Sequence, residues 1–121
     1  MEWDVEATDE FVNWWISLTE EERISVAAKV DMLEQFGPNL KYPHSSGIES
    51  SRHRRMRELR IQHEGRPYRV FYAFDPRRVA IVLIGGDKTG DDLFYERMVP
   101  IADDLYDEHI AELRSEGRID D

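Results

Sequence analysis

The chain has no cysteine, which excludes disulfide staples, thiolate metal ligands and cysteine nucleophiles. Its apolar runs all fall far short of the roughly 18–20 residues that a bilayer-spanning helix needs, so no membrane insertion is expected. The N-terminus, MEWDVEATDE, lacks the positive and then apolar segments of a secretory signal. Together with the missing thiols, this makes the cytoplasm the expected address. The sequence holds no internal repeat and no low-complexity tract. GGDKTG lacks the spacing of a phosphate-cradling Walker loop, and four histidines among scattered acids form no metal-ligand pattern. Neither a metal nor another cofactor is expected.

Positive charge is also scarce, 16 Lys and Arg against 26 Asp and Glu for a net charge of −10, but its placement matters more than its total. Residues 1–40 carry −8, residues 41–100 carry +4 and residues 101–121 carry −6. An acidic chain repels nucleic acid, whose binding relies on Lys and Arg neutralising phosphate, yet a basic middle is able to bind it locally. The densest basic block is SSRHRRMRELR, residues 50–60, with five arginines and a histidine. A chain of 121 residues has room for a single core, so one domain over residues 1–121 is expected.

WDVEA, residues 3–7, alternates apolar and acidic positions as a short half-buried strand does. Thr8 is placed to cap a helix over FVNWWISL, and Thr19 with Glu22 forms a capping-box signature for a second helix. That helix carries Val26, Val30 and Leu33 on one stripe and ends at Gly37 and Pro38. Residues 37–55 show no period and read as a long loop. MRELRI, YRVFYAF and VAIVLI follow as three strands of an antiparallel meander, joined by turns at HEGRP and DPRR. A last helix is predicted from about Val99 to Arg114, followed by an uncapped, frayed acidic tail over residues 115–121. The whole is an α+β arrangement, a small, mostly antiparallel sheet with two N-terminal helices packed on one face and a C-terminal helix, the other face of the sheet staying open.

If Leu59, Val70 and Tyr72 face the helices, the pleat sends Glu58, Arg60 and Arg69 to the open face. The loop bearing Arg52, His53, Arg54 and Arg55 enters this face at one end, and the loop bearing Lys88 leaves from another strand. Guanidiniums, an amine, imidazoles and a tyrosine suit metal-free phosphodiester chemistry, because arginines hold phosphate and stabilise its developing charge. The same residues have plainer readings. Arg60 and Arg69 suit strand charges paired with Glu58, His53 a solvated imidazole, Tyr95 a core aromatic and Lys88 a surface charge.

GPNL, RMRELR, GRPYRVFYAFDP, GGDKTG and FYERMVPIADDLYDEHIAEL occur in one order, and with them nearly the whole chain resembles the HigB-type branch of the RelE/ParE toxin superfamily, including its phage-derived members. The resemblance implies a microbial-ribonuclease-like fold and a toxin encoded beside an antitoxin, typically a helix-turn-helix protein through which alone operator DNA would be reached. It implies metal-independent mRNA cleavage, usually on translating ribosomes, with Arg60, Arg69, Lys88 and Tyr95 as the catalytic residues. Arg52, His53, Arg54 and Arg55 are the expected RNA contacts, His53 serving also as a reserve acid or base. A noncatalytic or gyrase-directed toxin of the same fold, or a decayed toxin kept as an antitoxin-binding regulatory module, stays open beside this reading. So do the readings of Asp103, Asp104, Asp107, Glu108 and Glu112 as a solvated helix face, as a screen over the basic face or as part of the antitoxin contact.

Overall fold

The computed structural model describes residues 2–120. Thr8 caps the first helix, its hydroxyl accepting from the Phe11 N–H at 3.0 Å, and Thr19 closes a full capping box with Glu22. These caps satisfy N–H groups that a helix start leaves without partners. The elements run β1 (Val5–Ala7), α1 (Asp9–Ser17), α2 (Glu20–Phe36), a 3-10 turn (Gly37–Asn39), β2 (Ser45–Gly47), β3 (Arg57–His63), β4 (Arg66–Phe74), β5 (Ala80–Asp87) and α3 (Phe94–Ser115). Strand order in the sheet is β1-β5-β4-β3-β2, with β1 parallel to β5 and the other pairings antiparallel.

Parity falls as the sequence predicts. Leu59, Val70 and Tyr72 pack with Val26, Leu33 and Phe11 beneath α1 and α2. The opposite face is not left open, contrary to expectation. Met56, Phe71, Ala73, Ile81 and Leu83 on that side are covered by Phe94, Met98, Val99, Ala102 and Leu105 of α3. Burying these apolar side chains, at about 25 cal/mol per Å², is what draws α3 across the sheet. The same contacts start α3 at Phe94, five residues before the expected Val99, and carry it through Pro100. The tail is also better ended than expected. Gly117, at φ 69°, and Arg118 donate to the carbonyls of Arg114 and Leu113, the bonding of a Schellman cap. Asp121, the last residue of that predicted tail, lies outside the described residues.

The predicted long loop contains β2, which pairs with β3 through Ser45↔Leu59 to Gly47↔Arg57. Two glycines set the layer spacing in β5. A Cβ at Gly85 would lie 2.3 Å from the Trp14 ring, and one at Gly86 2.8 Å from Phe94, so each lets one helical layer reach the sheet. No helix among the described residues is long and apolar enough to cross a membrane.

Candidate active site

The β3–β4 hairpin closes through Glu64 and Gly65, both at positive φ (49° and 78°), as a two-residue turn of the primed type requires. That turn fixes register, and register fixes which side chains meet, since a slip of one residue would move every one of them to the other face. The result sets Arg60 opposite Arg69 and Glu58 opposite Phe71. On β5 the pairing steps from Val82↔Tyr72 to Ile84↔Phe71, leaving Leu83 as a bulge and bringing Gly86 opposite Arg69. With no side chain at Gly86, the first turn of α3 lies close over the sheet, and Tyr95 arrives beside Arg69.

These placements converge on a carboxylate that sequence reasoning took only as an ion-pair partner. Glu58 is 4% exposed. Its Oε1 accepts from the Tyr95 hydroxyl at 2.7 Å and lies 3.5 Å from Arg69 Nε. Its Oε2 accepts from the Ser46 hydroxyl at 2.8 Å and from Arg60 at 3.3 Å. Arg69 also donates to the Tyr95 oxygen at 3.3 Å and to the Tyr68 carbonyl at 3.0 Å. Lys88, held by its N–H to the Pro67 carbonyl at 2.9 Å, places its ammonium 5.7 Å from the centre of the Tyr95 ring. Three of the four residues expected to be catalytic, Arg60, Arg69 and Tyr95, therefore meet at Glu58, and Lys88 approaches only the Tyr95 ring. The signal that could have singled out Glu58 was a lone acid sharing one face of the sheet with two arginines.

Burial first, then the hydrogen bond to Glu58 and its charge, holds the Tyr95 phenol above its usual value near 10. Such a phenol keeps its proton at neutral pH and is suited to donate rather than to accept. Arg60 and Arg69 line an open cavity of about 330 Å³ with Lys29, Tyr42, Pro43 and Gln62. Guanidinium donors thus border a space that an anion can enter.

The expected RNA-binding set divides. Arg52 turns away from Glu58 toward α3, pairing with Asp104 at 2.8 Å and with Asp107, and its backbone N–H donates to Asp103 at 3.1 Å. Ser51 bonds the other oxygen of Asp103. His53 stacks edge-on against Tyr106, 4.9 Å between centroids, with Nε2 2.9 Å from Asp107 but outside hydrogen-bonding geometry. This does not suit a reserve acid or base for the Glu58 cluster. Arg54 and Arg55 are exposed and line a separate groove of about 370 Å³ with Arg57, Arg78, Met56 and Phe74. Among the described residues none of these four arginines has a carboxylate within 4 Å. The acidic face of α3 is therefore partly engaged, and what it engages is the base of the arginine loop rather than the Glu58 site.

Comparison with known proteins identifies relatives by sequence and by fold. Residues 13–107 match the family described as "Phage derived protein Gp49-like". A Mycobacterium tuberculosis protein named "Putative toxin HigB3" is 37% identical over 99 residues, 81% of this chain and 85% of its own length. A second from the same organism, "Putative toxin HigB2", is 38% identical over 101 residues, 82% of this chain but only 50% of its own length. Among solved structures, the isolated Escherichia coli RelE toxin superposes with a TM-score of 0.56 at 14% identity, covering 82% of this chain and 98% of RelE. RelE in the archaeal RelE-RelB complex from Pyrococcus horikoshii OT3 gives 0.54 at 18% identity, covering 74% and 99%. On these sequence matches the chain belongs to the Gp49-like family, together with the HigB-type toxins, and its fold is that of RelE.

Proposed function

We propose that the protein, acting as one domain, is the toxin of a toxin-antitoxin pair and cleaves mRNA without a metal. The carrying observation is the buried Glu58 carboxylate, ringed by Arg60, Arg69 and Tyr95 beside a cavity open to an anion. An RNA phosphate in that cavity draws the guanidiniums of Arg60 and Arg69 toward itself and so loosens their hold on Glu58. Their withdrawal opens Glu58, buried behind them, to the RNA 2′-hydroxyl, whose proton it takes. The 2′-oxygen attacks its own 3′-phosphorus, the bond from phosphorus to the 5′-oxygen breaks, and the departing oxygen receives its proton from Tyr95. The products are a 2′,3′-cyclic phosphate and a 5′-hydroxyl. Arg69 and Arg60 stabilise the charge on the pentacovalent phosphorus, and Lys88 orients Tyr95 and adds positive charge beside it.

Arg54 and Arg55 are the RNA contacts outside the reacting centre, joined by Arg57 and Arg78, while Arg52 and His53 anchor the loop that presents them. The partners are a cognate antitoxin, a helix-turn-helix protein through which operator DNA is reached, and mRNA on a translating ribosome in the cytoplasm. The naming of the Mycobacterium relatives as toxins and the RelE-RelB complex support this reading.

Induced expression tests it. Growth arrest, rescue by the neighbouring gene product and new 5′-hydroxyl ends found by primer extension are expected, and Arg60→Ala should remove the cuts from a folded protein. Arrest with intact transcripts and signs of DNA damage would establish a noncatalytic, gyrase-directed toxin instead. Harmless expression with retained partner binding would establish a decayed one.

A further inference from the structure

Among the large apolar and aromatic residues left exposed, Tyr42 is the most exposed, at 72%. The backbone on either side of it is nonetheless held. His44 and Ser45 donate their N–H groups to the Lys41 carbonyl at 3.0 and 3.1 Å, and Arg60 donates its own to the His44 carbonyl at 2.9 Å. The His44 ring is fixed in turn by Lys29, whose Nζ lies 2.7 Å from its Nδ1. The segment from Lys41 to Ser45 is thus tied both to α2 and to the strand that carries the phosphate-site arginine. Burial gives no reason for an aromatic side chain here, and the anchoring gives it a fixed position.

That position is specific. The Arg60 guanidinium carbon lies 5.2 Å from the Tyr42 ring centre, so one guanidinium faces Glu58 on one side and an aromatic ring on the other. The cavity between them is bordered by three cations, Lys29, Arg60 and Arg69, and no carboxylate lines it. A ligand that fits must bring negative charge and a flat ring at a short, fixed separation. A nucleotide does both, since its base lies within about one side-chain length of its phosphate, and base–aromatic stacking is tolerant of sequence. An acidic peptide supplies the charge but not the ring.

We propose that Tyr42 is the stacking platform of a nucleobase subsite, holding the base next to the phosphate gripped by Arg60 and Arg69. The proposal rests on the nuclease reading of the Glu58 site and adds to it a binding residue from the α2–β2 connection. Arg60 links the two, because a phosphate that draws its guanidinium from Glu58 does so beside the ring on which the adjacent base settles.

The test uses the full chain and a cleavage-resistant RNA trinucleotide, with 2′-deoxyribose at the scissile position and 2-aminopurine at each end in turn. Binding should quench 2-aminopurine fluorescence for one of the two placements. Tyr42→Trp should keep the quenching. Tyr42→Ala should abolish it and weaken affinity about tenfold, with the melting temperature unchanged because the ring is exposed. In cleavage assays Tyr42→Ala should raise KM more than it lowers kcat. Absence of quenching with the wild-type protein, or equal quenching with Tyr42→Ala, overturns the subsite. So does a Tyr42→Ala variant that loses only antitoxin rescue, which would make Tyr42 a protein contact. Failure of the nuclease reading looks different, with transcripts intact on induction while Tyr42-dependent quenching persists.

Discussion

Replacing Glu58 separates its chemical role from its structural one. The carboxylate takes hydrogen bonds from Ser46, Tyr95 and Arg60 and sits 3.5 Å from Arg69, itself only 6% exposed. In Glu58→Gln the amide oxygen can still accept from Tyr95 and face Arg69, and the amide nitrogen can donate to the Ser46 oxygen. One donor-to-donor confrontation with Arg60 remains, and Arg60 can relieve it by swinging into the cavity. The cost should be about 1–2 kcal/mol. Glu58→Leu instead leaves Arg69 buried without a counter-charge and should cost about 3–5 kcal/mol. Thermal melts would therefore rank wild type, Gln and Leu in that order, the Gln protein melting only several degrees lower. Cleavage should behave otherwise. Losing a general base removes about 10²–10⁴-fold in rate, so Glu58→Gln should be folded, bind RNA and hardly cut it. Single-turnover assay of 2′,3′-cyclic phosphate formation reads this directly. A Glu58→Gln protein that cuts at the wild-type rate would refute the assignment of the base.

Gly85→Ala should destabilise by about 1–3 kcal/mol, because its Cβ meets the Trp14 ring at 2.3 Å, and should do so more than Gly86→Ala, whose nearest contact is 2.8 Å; paired denaturant titrations check the order. Glu22 is held at about 2 by the Thr19 backbone N–H and then the Tyr68 hydroxyl, against an ordinary 4.5. A depressed carboxyl stabilises the fold above its unfolded value, and that contribution, reduced by solvent screening, is lost as pH falls from about 4.5 through 2. Melting temperature against pH should fall in that window, and Glu22→Gln should flatten the fall; a profile identical to wild type would remove Glu22 as its source. Asp103→Ala should free the Ser51 hydroxyl and the Arg52 N–H, so trypsin should cut after Arg52, Arg54 or Arg55 faster in that variant while the core retains its hydrogen-exchange protection.

What the sequence displayed, it displayed where local chemistry decides. Thr8, Thr19 with Glu22, and the alternation through β3 and β4 are short-range signals, and parity alone gathered Glu58, Arg60 and Arg69 on one face. What stayed hidden was decided at long range. Ser45–Gly47 has weak strand propensity and becomes β2 only because β3 offers an edge. Pro100 masked the true start of α3, since a proline ordinarily marks a first turn, whereas Phe94 and Met98 needed the surface of Phe71 and Leu83 to bury themselves. Glu58 was visible as a letter, but its role follows from Tyr95 arriving 37 residues later in the chain.

The docking of Arg52 was the least legible feature, and it explains how a chain of net charge −10 presents positive surface at all. Asp103, Asp104 and Asp107 do not neutralise the arginine block evenly. They take Arg52, at one end of it, and thereby fix the loop. Glu58 takes Arg60 at the other end. Among the described residues Arg54, Arg55 and Arg57 between these anchors form no ion pair, and Arg78 joins them from the β4–β5 turn in a groove whose one acid, Asp75, is taken by Arg77 and His109. Acid elsewhere on the surface disfavours a polyanion everywhere except at this groove and at the cavity before Arg60 and Arg69. On the proposed nuclease reading the excess of acid acts as a guide, lowering nonspecific attraction while leaving two cationic patches where a phosphate chain would be held near the Glu58 site.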